Sequence, residues 1–130
     1  MSLNDPLANA LSKILNNEKI GKPDCNIERV SKLIKDCFKI MKDHDYIGEY
    51  KVIETKQGSF IELKLIGNIN NCGVIKPRFA VKVSDFEKYE KRYLPAKDFG
   101  ILVISTPKGL MTHEEAIKKS LGGRLIAYIY

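Results

Sequence analysis

The sequence predicts an α+β fold made of two small abutting α+β domains: N-terminal helices on a small sheet, then a C-terminal antiparallel sheet with a short helix. Three observations predict it. Apolar residues recur at helical spacing in the first part of the chain, at Leu7, Leu11, Ile14 and Leu15 and again at Leu33, Ile34, Cys37, Phe38 and Met41. Ile61, Leu63 and Leu65 alternate with Phe60, Glu62 and Lys64, the period of a half-buried antiparallel strand. The continuous apolar run Ile101-Leu102-Val103-Ile104 and the closing Leu125-Ile126-Ala127-Tyr128-Ile129-Tyr130 flank a capped helical stretch. A chain of 130 residues, 44% apolar and 29% charged, has globular composition and the length for one modest core or two small ones.

The elements follow in order. Asp5 before Pro6 is a helix start, since an aspartate caps free amides and proline suits the first helical position. The expected helix runs from Pro6 to Glu18, with Asn9, Lys13, Asn16 and Asn17 on its polar side, and leads into Lys19, Gly21 and Lys22. Residues 23–27 suit a short edge strand. Ser31 caps a second helix that ends near Asp45. Glu49 to Glu54 pairs with Ser59 to Ile66 across a turn at Thr55-Lys56-Gln57-Gly58.

Gly67-Asn68-Ile69-Asn70-Asn71-Cys72-Gly73 is rich in turn formers and marks the boundary between the halves, giving domains 1–67 and 68–130. No long linker intervenes, so the halves are expected to touch. Val74 to Val81 reads as one bent or edge strand, because Pro77 interrupts its ladder. Asp85 to Asp98 interleaves Lys88, Lys91, Arg92 and Lys97 with Phe86, Tyr89 and Tyr93, followed by Phe99. This segment suits either a charge-laced loop whose aromatics dock on the second core, or a surface where cations hold phosphates and rings pack on bases. Thr112 and Glu115 form a capping box for a helix through Ser120, which assigns Thr112 to the fold. Gly122-Gly123 turns the chain into a final strand, Arg124 to Tyr130; glycine there provides positive φ or lets another backbone come close.

Charge and cysteine content narrow the function. The 22 Lys and Arg against 16 Asp and Glu give a net charge of +6, which favours polyanionic partners. No apolar run approaches the roughly 18–20 residues of a membrane span, and the N-terminus lacks the pattern of a secretory signal. The expected compartment is the cytosol, where Cys25, Cys37 and Cys72 stay reduced. These three cysteines include no C-x-x-C pair, and His44 and His113 are the only imidazoles, which argues against zinc. His113-Glu114-Glu115-Ala116-Ile117 lacks the second histidine of a zinc-protease motif, and Cys37 lies on an apolar helix face as a small buried hydrophobe.

The richest segment is Ser105-Thr106-Pro107-Lys108-Gly109, a polar loop between the apolar strand and the capped helix, with Gly122-Gly123-Arg124 close behind. Two hydroxyls, a cation and bare backbone suit a phosphate-sugar backbone and supply no general base. The same residues also suit an ordinary connection in which the hydroxyls satisfy loop amides.

Together several motifs resemble the small-subunit ribosomal protein eight family along essentially the whole chain. They are Asp5-Pro6-Leu7-Ala8, Ser31-Lys32-Leu33, Ile75-Lys76-Pro77-Arg78-Phe79, Gly100 to Thr106, Lys108-Gly109-Leu110-Met111-Thr112 with Glu115-Ala116, and Leu121-Gly122-Gly123. The aromatic and basic segment Phe86 to Phe99 is similar to the archaeal or eukaryotic branch. The resemblance implies a cytoplasmic, ribosome-bound, non-catalytic protein without cofactor or metal. It implies direct binding to a helix in the central domain of small-subunit rRNA, help in assembling the platform, contacts with neighbouring small-subunit proteins, and a monomer when free, with no membrane partner. It places the main RNA grip at Ser105, Thr106, Pro107, Lys108 and Gly109 with Gly122 and Gly123; Arg124 beside them is a candidate for an added phosphate contact. Asp5, Lys13, Asn16, Lys22, Lys76 and Arg78 are the further RNA-binding candidates. Pro107 and Arg124 depart from bacterial members, where a small hydroxyl residue and an acidic residue are usual.

Two other classes compete. A nuclease or RNA-modifying enzyme could draw on His113, Glu114 and Glu115, but adjacent helical residues diverge by about 100° and Glu115 belongs to the cap. A protein-binding module acting through Phe86 to Phe99 stays compatible with life on a ribosome.

Overall fold

Pro6 opens helix α1 (Pro6–Lys19) in the computed structural model, which describes residues 6–28, 30–96 and 99–130. Asp5, expected as its cap and as an RNA contact, lies outside the described residues. Leu7, Ala10, Leu11 and Ile14 form the buried stripe. The helix stops at Gly21, whose φ of 74° lets its amide reach the Glu18 carbonyl at 3.1 Å while the Lys22 amide reaches Asn17 at 3.0 Å. These two bonds satisfy carbonyls that the helix end leaves open.

Strand β1 (Asp24–Glu28), helix α2 (Lys32–Asp43) and strands β2 (Ile47–Thr55) and β3 (Gly58–Leu65) complete the first unit. The sheet is antiparallel in the order β1-β3-β2, so β1 is an edge, as its position after Pro23 suggests. Cys25 faces Leu63 and Ile27 faces Ile61 across the ladder, all four buried, while Asp24 pairs with Lys64 and Asn26 with Glu62 on the wet face. The period-2 pattern thus decides which face meets the helices. Ser31 caps α2, its Oγ accepting the Ile34 amide at 3.3 Å, and Ile34, Cys37, Phe38, Ile40 and Met41 are buried. Cys37 is the buried hydrophobe its position implies. α2 ends at Asp43 because Asp45 adopts φ 62° and its amide closes on the Lys42 carbonyl at 3.0 Å. α1 packs on β1, α2 packs on β2, and the two helices touch.

The chain divides between Asn70 and Asn71, three residues beyond the expected 67/68 boundary. The reason is local. Glu18 accepts the amides of Gly67 and Ile69 at 3.1 and 3.2 Å, tying those residues to the first unit, whereas Asn71 exchanges backbone bonds with Tyr130 at 3.0 and 2.9 Å.

The second unit contains β4 (Cys72–Val74), β5 (Ala80–Val81), a 3-10 turn (Val83–Asp85), α3 (Phe86–Tyr93), β6 (Ile101–Thr106), β7 (Gly109–Thr112), α4 (His113–Lys118) and β8 (Gly123–Ile129). Its antiparallel sheet runs β4-β8-β6-β7, with β5 also paired to β8. Ile75, Val81, Phe86, Leu94, Leu102, Ile104, Met111, Ala116 and Leu125 form one buried cluster.

Three sequence expectations change here. Residues 74–81 form two short strands on β8 rather than one bent strand. The Ile75 amide reaches Ile126 and the Leu125 amide reaches Phe79, each at 3.0 Å, while Pro77, which has no amide to offer, stands out after a cis bond. The loop expected within 85–98 contains α3, stabilised by burial of Phe86 and Leu94 and by packing of Tyr89 and Tyr93 on the same cluster. Dense charge hides that stripe from a reading of periodicity. Gly109, expected at the end of the polar loop, instead opens a strand that runs to the Thr112 cap and pairs with β6, with Met111 buried.

Candidate nucleic-acid interface

β6 and β7 are joined by a two-residue turn, Pro107-Lys108, with Thr106 opposite Gly109 in the ladder. Thr106 Oγ1 donates to the Gly109 carbonyl at 2.8 Å and accepts the Lys108 amide at 3.2 Å, leaving the residue 8% exposed. Gly109 has φ 117°. The first unit repeats the device. Thr55 Oγ1 donates to Gly58 at 2.8 Å and accepts the Gln57 amide at 3.3 Å, with Gly58 at φ 129°. Thr106 is therefore engaged in holding the hairpin, the ordinary duty of a turn hydroxyl.

Ser105 differs. It sits half-buried between Leu110 on β7 and Arg124 on β8, and its hydroxyl has no protein partner among the described residues. A hydroxyl in this position can both donate and accept.

Ser105, Thr106 and Pro107 meet Gly122, Gly123 and Arg124 around one open groove of about 510 Å³, whose remaining lining is Ala80, Val81 and Lys82. The fold thus gathers residues about twenty positions apart. Lys82 is the cation the sequence did not reveal: β5 is two residues long, and only pairing of Ala80 with Arg124 and Val81 with Gly123 brings it to the hairpin.

Gly122 and Gly123 do not occupy the left-handed region. A Cβ on Gly123 would fall on the Ser105 carbonyl oxygen, and one on Gly122 would lie 2.7 Å from the Val81 carbonyl. The backbone that approaches these glycines is the chain's own. β8 closes on β6 and β5 there, leaving a floor without side chains.

The other candidates are more scattered. Lys108 is exposed at the turn, outside the groove lining, as is Gly109. Arg124 Nη1 donates to the Arg78 carbonyl at 3.3 Å, which sets Arg78 beside the groove, and Lys76 is exposed two residues earlier. Lys13, Asn16 and Lys22 are exposed in the first unit. Burial pushes the Cys25 thiol above its ordinary value, while Lys13, the Asn17 side chain and Lys22 pull it down and Asp24 adds to the rise.

His113 is buried, and its Nδ1 accepts the Leu102 amide at 3.1 Å, with Nε2 3.7 Å from Glu90. Glu115 Oε1 accepts the Thr112 hydroxyl at 3.4 Å, and Thr112 Oγ1 accepts the Glu115 amide at 3.2 Å. The carboxylate's return bond is thus to the hydroxyl. These residues build the helix start and core, and they do not converge on an open acid-base site. Among the described residues no cluster of His, Cys, Asp and Glu could hold a metal ion, and no helix is long and apolar enough to cross a membrane.

A basic α+β protein with a hydroxyl-bearing, cation-flanked groove at a hairpin has the architecture of a binding protein. The family model described as Ribosomal protein S8 matches residues 5–130, and the chain belongs to that family. It is a structural, rRNA-binding protein of the small ribosomal subunit.

Proposed function

We propose that this chain binds the central domain of small-subunit rRNA directly and helps assemble the platform, gripping an irregular RNA helix in the groove around Ser105. The observation that carries the reading is the partnerless Ser105 hydroxyl in a groove flanked by Lys82 and Arg124. A-form RNA hides its bases in a deep, narrow groove, so a protein reads 2′-hydroxyls, the shallow minor groove and distorted bases. A short hydroxyl suits those targets, and the two cations hold the phosphates beside them. Gly122, Gly123 and Pro107 line the same groove. Lys108, Arg78 and Lys76 supply outlying phosphate contacts from the second unit, and Lys13, Asn16 and Lys22 supply contacts to a neighbouring backbone from the first. In this reading the protein is of the archaeal or eukaryotic type, monomeric before it meets RNA, resident on cytoplasmic ribosomes, and beside other small-subunit proteins once assembled.

Footprinting of whole small-subunit rRNA with the purified protein tests it. Protection confined to one central-domain helix is expected. Diffuse protection across all domains would reduce the activity to basic adhesion.

A further inference from the structure

Helix α3 carries five charged side chains between Phe86 and Tyr93, and their partners sort them into two groups. Glu87 pairs with Lys91 at 3.7 Å, and Glu90 turns toward the buried His113, its carboxylate 12% exposed. Lys88 and Arg92 remain exposed without a carboxylate partner among the described residues. They are one helical turn apart, and both lie over the ring of Tyr89, with Lys88 Nζ at 5.5 Å and Arg92 Cζ at 5.6 Å from its centroid. That ring packs on Phe79, centroid to centroid 5.7 Å. Phe79 in turn stands between Arg78, whose carbonyl holds Arg124, and Ala80, which lines the groove.

We infer that Lys88 and Arg92, clasped on Tyr89, form a second phosphate-binding face, for the sugar-phosphate backbone of the same RNA that enters the groove. Charge complementarity and continuity favour this occupant over a protein. Two cations held on a ring face lose less freedom on binding than two loose side chains. The segment Arg78 to Lys82 joins this face to the groove, so one RNA helix passing the hairpin meets both. The inference rests on the groove reading above. It adds that α3 contributes strength without sequence preference, since phosphates carry no base identity.

The test compares the full-length chain with Lys88→Gln/Arg92→Gln on a transcript of the small-subunit central domain and on a regular RNA duplex, across a salt series. Lys32→Gln/Lys39→Gln on α2 serves as the charge-matched control, and Ser105→Ala is measured alongside. The expected result is a slope of log affinity against log salt that is shallower by about 1.4–1.8 in the α3 variant, because two phosphates are no longer neutralised and each accounts for about 0.7–0.9. Its preference for the central-domain transcript over the duplex stays unchanged, and the α2 control keeps the parent slope. An unchanged slope in the α3 variant overturns the inference while leaving the groove reading intact if Ser105→Ala still loses preference. Equal flattening by the α2 control overturns it in favour of net charge. Unchanged RNA binding combined with poorer incorporation into particles overturns it in favour of a protein neighbour.

Discussion

Thr106 closes the second hairpin on Gly109, its hydroxyl 2.8 Å from that carbonyl, and so the two adjacent hydroxyls at residues 105 and 106 have different work. One holds the turn, and the other, on a residue that lines the groove, has no protein partner among the described residues. Ser105→Ala should leave thermal stability unaltered and lower affinity for the cognate RNA by about 1–3 kcal/mol, the range for a polar partner left unsatisfied, with little change on a regular duplex. Thr106→Val should cost about 1 kcal/mol of stability, with affinity falling only as far as folding does. Thermal melts and binding isotherms on both RNAs check the pair. Equal loss on cognate helix and duplex for Ser105→Ala would place specificity elsewhere.

Gly123→Ala should destabilise the second unit strongly, because the added methyl meets a backbone oxygen of β6 that cannot move without breaking the ladder. Overpacking against backbone implies about 3 kcal/mol. Denaturant titration measures it, and a variant as stable as the parent would contradict the close approach of β8 to β6.

Thr112→Ala removes the acceptor of the Glu115 amide and should cost about 1 kcal/mol through loss of the helix cap. RNA affinity per folded molecule should not change. A folded variant with weakened binding would give Thr112 a second role.

Salt should weaken the complex in proportion to the phosphates held. With the second unit's seven cations, Lys76, Arg78, Lys82, Lys88, Arg92, Lys108 and Arg124, each neutralising one phosphate, log affinity should fall against log salt with a slope of about −5 to −6. A flat response would mean that the interface is not led by phosphates.

Alkali should unfold the protein partly through Tyr128. Burial pushes its phenol above the ordinary 10.0, with Tyr130, Cys72 and Tyr93 adding to the shift. The unfolded chain therefore ionises first, so the stability is complete below pH 10 and is lost as pH rises through the higher folded value. Tyr128→Phe should flatten the fall in melting temperature above pH 10 while keeping the ring stacked on Tyr93 at 5.7 Å. An identical alkaline profile in parent and variant would assign that fall to other groups.

Local chemistry determined much of this protein from sequence alone. The stripes of α1 and α2, the Ser31 and Thr112 caps, and the alternation along β3 depend on neighbours within four residues, so they are legible in order along the chain. The hairpin at Ser105 to Gly109 was legible as a polar junction for the same reason. Tertiary structure alone decided the rest. α3 exists because Phe86 and Leu94 find a core, and no local count of charges reveals that. Lys82 joins the groove because a two-residue strand pairs with residues more than forty positions away. Gly123 is tied to the Ser105 carbonyl across a ladder, and Thr106 is withdrawn from the surface while Ser105 is left with a hydroxyl to offer. Sequence names the donors and cations available. Which remain unengaged depends on hydrogen bonds and strand pairings that exist only once the sheet has closed.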